Sequence, residues 1–366
     1  MKVLVTGSNG FIAKNLICHL ESAPKIELLK FNRSHDEDVL FNLIDQASII
    51  FHLAGVNRPA HTGDFKSDNV DLTRKIVDRL KHTNKKKKII FSSSIKSKED
   101  NVYGKSKAEA ETLLKKLSKK KNLNIVIYRL TNVFGKWSKP NYNSVVSTFC
   151  YNTLNSKRIN INDPETVLKL IYIDDLVANF MQQVNAPLTK RMPTSVKSYK
   201  IKLGKLANII CSFKDLSKHG KVGLGLTRAL YSTYISYKRP NQFTSQLIEN
   251  KDLRGKFFEL IKTNESGQFS FFTAKAGVTR GGHYHHTKTE KFIVVKGSAI
   301  FKFKHVVTGE KFSIEVAEHK PQIVETVPGW AHNITNNGST EMIALVWANE
   351  VFNPLLPDTY SEDLST

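Results

Sequence analysis

The opening of the chain constrains its fold most. Residues 2–6 form a short apolar strand, residues 10–21 carry Phe11, Ile12, Leu16, Ile17 and Leu20 at helical spacing, and residues 25–31 turn apolar again. A strand, helix and strand of these lengths make a parallel βαβ unit. Further strands are expected at 49–54, 88–92 and 125–130, with helices at 71–81 and 107–119 between them. This is the pattern of a doubly wound parallel α/β sheet. The stretch between Phe31 and Ile49 is short for a full strand–helix insertion, so a trimmed sheet is expected.

From about Lys256 the rhythm changes. Short alternating strands are expected at 256–263, 269–274, 291–296, 298–304, 310–316 and 342–348, broken by Gly and Asn. Such spacing fits an all-β sandwich or barrel. A chain of 366 residues exceeds what one core usually supports, so two domains follow. Arg239, Pro240 and Asn241 interrupt the periodicity within the junction at 238–251, which places the domains at 1–243 and 250–366.

Cys18, Cys150 and Cys211 are scattered and odd in number, which argues for a reducing compartment and against a disulfide framework. An apolar strand starts at the first residues, with no charged leader before it, and no apolar run is long enough to span a membrane. A cytoplasmic protein without a membrane partner is expected. The net charge of +22 would attract phosphates of any kind, including those of a nucleotide. The lysines do not spell a nucleic-acid module: Lys85 to Lys88 are read as a turn before a strand, and Lys115, Lys116 and Lys119 to Lys121 line the polar side of a helix. No nucleic-acid partner is expected.

Thr6-Gly7-Ser8-Asn9-Gly10-Phe11-Ile12-Ala13 lies between the first strand and helix. Glycines at 7 and 10 allow a tight turn and close approach to a pyrophosphate, which would rest on the helix N-terminus. The second strand is followed by Asn32, Arg33 and Ser34 instead of a carboxylate, so Arg33 favours NADP(H) over NAD. Ser92, Ser93 and Ser94 end another strand and precede Tyr103-Gly104-Lys105-Ser106-Lys107. Tyrosine and lysine at this spacing share a helix face, so the Lys107 ammonium is expected to lower the Tyr103 phenol pKa.

These residues resemble the extended short-chain dehydrogenase/reductase family over roughly the first 240 positions. The likeness also rests on His52-Leu53-Ala54-Gly55, on Arg129-Leu130-Thr131-Asn132-Val133-Phe134-Gly135 and on Tyr172-Ile173-Asp174-Asp175. It implies a Rossmann-like fold with NADPH held by Gly7, Asn9, Gly10, Phe11, Ile12, Arg33, Leu53, Ala54, Tyr103 and Lys107. It also implies catalysis by Ser94, Tyr103 and Lys107, and a nucleotide-sugar substrate contacted by Asn132 and Asn143. The gap from Ser94 to Tyr103 is shorter than the family's, which leaves the choice among the three serines open.

The second half carries Gly277-x5-His283-x-His285-x4-Glu290-x6-Gly297 and Gly329-x2-His332-x3-Asn336. His283 and His285 alternate on one strand and share a face, Glu290 opens the next strand, and His332 joins from a distant one. Three imidazoles and a carboxylate suit a divalent transition metal, with zinc the first expectation. By the same alternation Tyr284 and His286 should face outward. The spacing resembles the cupin family over about 256–366, which implies a metal-binding cupin barrel.

A reductase joined to a cupin resembles the two-domain enzymes of capsule and O-antigen precursor synthesis. Gly55-Val56-Asn57-Arg58-Pro59, Tyr142-Asn143-Ser144-Val145 and Pro357-Asp358-Thr359-Tyr360 fit that likeness. It implies a homodimer that takes a UDP-linked 4-keto deoxy sugar. The cupin would epimerise C3 and the reductase would then reduce C4 with NADPH. The alternative is a reductase whose cupin is purely structural or dimerising.

Overall fold

The computed structural model describes residues 1–56, 65–120, 122–142, 144–215, 224–246, 249–252, 255–258, 267–350 and 352–364. The chain divides into two compact units, 1–145 with 167–201 and 146–166 with 202–366. Among the described residues no helix is long and apolar enough to cross a membrane.

The first unit runs β1 (Lys2–Thr6), α1 (Phe11–Glu21), β2 (Glu27–Phe31), α2 (Glu37–Gln46), β3 (Ile49–His52), α3 (Leu72–Lys81), β4 (Lys87–Ser94), α4 (Val102–Leu117), β5 (Leu123–Leu130) and β6 (Asn132–Phe134). After α5 (Val145–Leu154), which opens the second unit's first segment, it resumes with β7 (Val167–Tyr172), α6 (Ile173–Asn185) and β8 (Tyr199–Lys202). The main sheet has the order β2-β1-β3-β4-β5, and every pairing in it is parallel. Burial on both faces explains the unbroken apolar runs Ile49–Phe51 and Ile89–Phe91, all at most 1% exposed. β6, β7 and β8 form a separate small sheet.

Between β2 and β3 lies a helix that the sequence reading did not include. Asp36 caps α2 by accepting Val39 N at 2.9 Å, and Glu37 and Asp38 favour its positive end. Leu40 and Ile44, one turn apart, join the core with Leu4, Phe31, Ile76 and Leu80, and Phe41 and Leu43 pack against it. No strand accompanies it, so β2 is an edge. The chain winds outward in both directions from β1 and β3, which opens a crevice at their carboxyl ends.

Two lysines expected in a surface turn are buried at the head of β4. Lys87 Nζ donates to the carbonyls of Ile44 and Asp45, at 2.9 and 3.1 Å, and also to Ala47 O. Lys88 Nζ donates to the carbonyls of Gln183 and Ala186, at 2.6 and 3.1 Å. Each ammonium thus satisfies the free carbonyls at one helix end, of α2 and of α6, where the helix dipole favours positive charge.

The second unit continues with α7 (Leu203–Ser212), α8 (Leu226–Ile235), β9 (Thr244–Gln246), β10 (Glu249–Asp252), β11 (Gly255–Phe258), β12 (Gln268–Ala274), β13 (Thr279–Tyr284), β14 (Glu290–Lys296) and β15 (Ser298–His305). It ends with β16 (Lys311–Ala317), β17 (Gln322–Glu325), β18 (Trp330–Asn336), β19 (Met342–Ala348) and β20 (Tyr360–Ser361). One antiparallel sheet has the order β12-β19-β14-β17-β9 and the other β16-β15-β18-β13-β20, with β10 and β11 paired by themselves. Neither sheet closes on itself, so the all-β half is described as two open sheets where a barrel was expected. β15 shows the period-two pattern plainly: Ala299, Phe301 and Phe303 are buried while Lys302 is exposed. Of the strand expected at 256–263, residues 259–263 lie outside the described residues.

Candidate active site and candidate metal centre

The loop after β1 is shaped by backbone contacts. Gly7 has φ +67°, and a Cβ there would lie 2.7 Å from Ala54 Cα. Only glycine permits both the angle and the approach. Gly10 N donates to Gly7 O at 2.8 Å, and Gly10 caps α1 without a side chain. Asn9, Phe11 and Ile12 therefore surround a bare helix N-terminus that can cradle phosphate oxygens. Ser8 N donates to Phe31 O at 3.1 Å, which ties the loop to the end of β2; Arg33 follows there, exposed.

Leu53 and Ala54 leave β3 beside this loop, and a buried relay holds them. Thr73 Oγ1 donates to Asn69 O at 2.7 Å, so it accepts from His52 Nε2 at 2.8 Å. His52 Nδ1 then accepts from Thr6 Oγ1 at 2.9 Å, leaving that oxygen to accept Ala54 N at 3.3 Å. Burial, helped by the Lys107 charge, pushes His52 down to about 3, so the relay is neutral. In the sequence His52 stands only as part of a motif; its place at the strand end was the available signal.

The three serines at the end of β4 are told apart by their partners. Ser92 Oγ donates to His52 O at 3.3 Å, and Ser93 Oγ to Glu111 Oε1 at 2.7 Å. Ser94 Oγ accepts Lys96 N at 3.2 Å, and Ser94 is the serine that acts on the Tyr103 phenol. The short gap to Tyr103 is spanned by a 3-10 turn at Ile95–Lys98, after which Asn101 caps α4 through Gly104 N at 2.8 Å. A Cβ on Gly104 would lie 2.3 Å from Lys96 O, so glycine lets helix and turn meet.

Tyr103 and Lys107 lie one turn apart on α4. Lys107 Nζ donates to Ser92 O at 3.2 Å and lies 5.2 Å from the centre of the Phe91 ring. Burial lowers its pKa to about 8. The Tyr103 phenol departs from expectation: burial raises it, and the Ser94 hydrogen bond opposes only part of that rise. Lys107 does not depress it, because desolvation outweighs any attraction while the ammonium is committed to Ser92 O. Asn132 opens β6 and is exposed. Asn143 and the Asn57-Arg58-Pro59 motif lie outside the described residues.

In the second unit His283 lies on β13, His285 just past its end, Glu290 at the head of β14, and His332 on β18 opposite His283. One ligand atom from each can be chosen so that all lie within 4.8 Å of one another. Glu290 Oε2 is 3.2 Å from His285 Nε2 and 3.4 Å from His332 Nε2, and Glu290 Oε1 is 3.3 Å from Lys288 Nζ. Burial, with His332 and His285 alongside, lowers His283 to about 4. Burial also lowers His332, despite the Glu290 contact that favours its charged form. Burial opposes ionisation of Glu290, yet its close contacts with His285 and His332 keep its carboxyl well below the usual range. His285 Nδ1 donates to Asp358 O at 2.5 Å, which leaves Nε2 directed at the cluster. Imidazoles kept neutral by burial at His283 and His332, an ionised carboxylate at Glu290 and a held second nitrogen on His285 fit a divalent metal.

Tyr284 and His286 do not face outward as strand alternation suggested. They are 3% and 2% exposed, because Tyr360 packs against both, with ring centres at 5.5 and 4.7 Å.

Residues 250–360 match the polysaccharide biosynthesis C-terminal domain, and residues 3–194 match the NAD dependent epimerase/dehydratase family. The chain is 46% identical over 365 residues to the UDP-2-acetamido-2,6-beta-L-arabino-hexul-4-ose reductase of Pseudomonas aeruginosa, spanning 99% of this chain and 98% of that one. It is similar to the solved capsular polysaccharide assembling protein CapF from Staphylococcus aureus, with 37% identity, full coverage of both chains and a TM-score of 0.66. UDP-glucuronic acid 4-epimerase from Bacillus cereus, in complex with NAD, shares the fold at 18% identity and a TM-score of 0.52, over 58% of this chain and 84% of that one. Matched over more than half its length, and along nearly all of it by a relative at 46% identity, this chain belongs to the NAD dependent epimerase/dehydratase family.

Proposed function

We propose that this chain reduces the C4 ketone of UDP-2-acetamido-2,6-dideoxy-L-arabino-hexos-4-ulose after inverting C3, yielding UDP-2-acetamido-2,6-dideoxy-L-talose. The carrying observation is the group Ser94, Tyr103 and Lys107 beside the Gly7 loop, on one chain with the His283, His285, Glu290 and His332 cluster. The full-length likeness to a reductase of a UDP-linked 4-keto sugar supports the substrate class.

A bound nicotinamide coenzyme supplies the hydride. Tyr103, its phenol held neutral by burial, donates the proton to the oxygen forming at C4. Ser94 aligns that oxygen, and Lys107 orients the coenzyme ribose from inside the fold. Arg33, with no carboxylate at the end of β2, would hold a 2′-phosphate, so NADPH is the coenzyme of this reading. Asn132 and Asn143 are assigned to the sugar.

The residue cluster of the second half would hold a divalent metal, zinc first, within a cupin-like domain at 250–366. When bound, the metal supplies Lewis acidity beside a ketone whose C3 hydrogen is already acidic. Inversion at C3 must precede reduction, because reduction removes the ketone that acidifies that hydrogen. The reading places the protein in the cytoplasm as a homodimer, with residues 1–243 as the reductase.

The test uses the UDP-linked 4-keto sugar, NADPH and deuterated water. Tyr103→Phe should stop NADPH oxidation while deuterium still enters C3. His332→Ala should stop that exchange. NADPH oxidation at the wild-type rate in Tyr103→Phe would refute the reductase assignment, and undiminished exchange in His332→Ala would leave the cupin-like half a structural or dimerising one.

A further inference from the structure

We infer that residues 358–361 are part of the metal centre, with Asp358 as a positioning residue that holds His285 and the loop after it; this rests on the metal reading above. The segment touches every residue from 283 to 288. β20 pairs with β13, placing Ser361 opposite His283 and Tyr360 opposite Tyr284. The Tyr360 ring packs on His286.

Asp358 supplies the rest. Its carbonyl accepts His285 Nδ1 at 2.5 Å. Its Oδ1 accepts His286 N at 2.9 Å, and its Oδ2 accepts Thr287 N, Thr287 Oγ1 and Lys288 N at 2.7, 2.9 and 2.8 Å. Lys288 Nζ lies 3.4 Å from Thr359 Oγ1 and 3.3 Å from Glu290 Oε1, so the carboxylate ligand is tied to the same segment.

A ligating imidazole needs its second nitrogen held, since that bond sets both the tautomer and the ring direction. Here the holder is a backbone carbonyl, whose position depends on the anchoring of its own side chain. Without the Asp358 carboxylate the loop amides lose their acceptor and the carbonyl that aims His285 is released. Metal occupancy and docking of this segment are therefore one linked equilibrium: each stabilises the other by the same free energy.

The test uses the full chain and zinc ion alone. Zinc affinity is measured by competition with a chromogenic chelator for wild type, Asp358→Ala and Asp358→Asn. Cobalt(II) absorption reports ligand geometry, which a merely destabilised protein would leave unchanged in its folded fraction. Asp358→Ala should weaken zinc roughly 10–100-fold, the range for loss of a residue that orients a ligand, and alter the cobalt bands. Asp358→Asn, which keeps one acceptor oxygen, should lose less. In wild type, chelation should make the chain beyond residue 350 more open to limited proteolysis. Wild-type affinity and cobalt bands in Asp358→Ala would overturn the inference, as would equal cleavage of zinc-loaded and chelated wild type; the second result needs no variant to fold. Wild type that takes up no zinc overturns the metal reading itself, whereas normal wild-type uptake with an unaffected variant overturns only the role of Asp358.

Discussion

The Glu111 carboxylate accepts Nε and Nη2 of Arg129 at 2.9 and 2.6 Å, in a fork that joins α4 to β5. Ser93 Oγ, from β4, donates to the same group at 2.7 Å. Since α4 carries Tyr103 and Lys107 and β4 carries Ser94, one buried carboxylate sets the spacing of all three. Burial opposes its charge, but hydrogen bonds from Arg129, Ser93 and Lys115 outweigh that and hold its pKa down to about 2.

Glu111→Ala should cost about 3 kcal/mol in urea unfolding, the low end for a broken buried pair because Arg129 keeps access to water. A folded pKa below the unfolded value near 4.5 means this stabilisation is complete above 4.5 and drains away as pH falls toward 2. Glu111→Gln should show a shallower loss of stability across that window. An acid slope equal to wild type would contradict the assignment.

Lys107 is held at about 8 by burial, so its ammonium disappears as pH rises through that value. The rate of NADPH oxidation should fall over the same range. Tyr103→Phe should lower kcat by roughly 10²–10⁴-fold, the usual worth of a positioned proton donor, and change coenzyme affinity far less. Steady-state rates against pH and a fluorescence titration of NADPH check both points.

Gly7→Ala should be far more damaging than Gly10→Ala. The left-handed angle at Gly7 costs about 1–2 kcal/mol for any other residue, before its contact with the Ala54 backbone is counted. Gly10 has φ −76°, and its added Cβ would meet only Gly7 O at 3.0 Å. Thermal unfolding of the two variants should separate them clearly; equal melting temperatures would mean the loop is not under this constraint.

Glu325 is 3% exposed and pairs with Lys291 at 2.5 Å and with Lys238, while the Tyr231 hydroxyl donates to it at 3.3 Å. Glu325→Leu strands Lys291 in the core and should cost about 3–5 kcal/mol. Converting Lys291→Met as well should recover part of that loss, because only the Lys238 ammonium, with 19% side-chain exposure, is then left without its carboxylate. Denaturant midpoints for the single and double variants decide it.

What was legible in the chain was whatever is encoded locally. Strand and helix periods of 2 and 3.6 placed β1, α1 and the antiparallel strands β12, β14, β15, β16 and β19 to within a few residues. Helix α2 escaped because the span from Phe31 to Ile49 is too short for a strand and a helix together, although Leu40, Phe41, Leu43 and Ile44 carry helical spacing. Lys87 and Lys88 read as a surface turn because only the ends of α2 and α6, far along the chain, explain why ammonium groups are buried there.

The sequence by itself determined the parallel α/β opening, the glycine turn after β1, the tyrosine and lysine on one helix face, and the histidine–glutamate spacing, each written within a turn or a strand or two. Only the tertiary structure decided which serine meets Tyr103, that burial raises that phenol, that His52 relays between Thr73 and Thr6, and that Tyr284 and His286 are covered by Tyr360. It alone brought Asp358 to His285. Desolvation and hydrogen-bond pairing depend on neighbours in space, and those neighbours are tens of residues away along the chain.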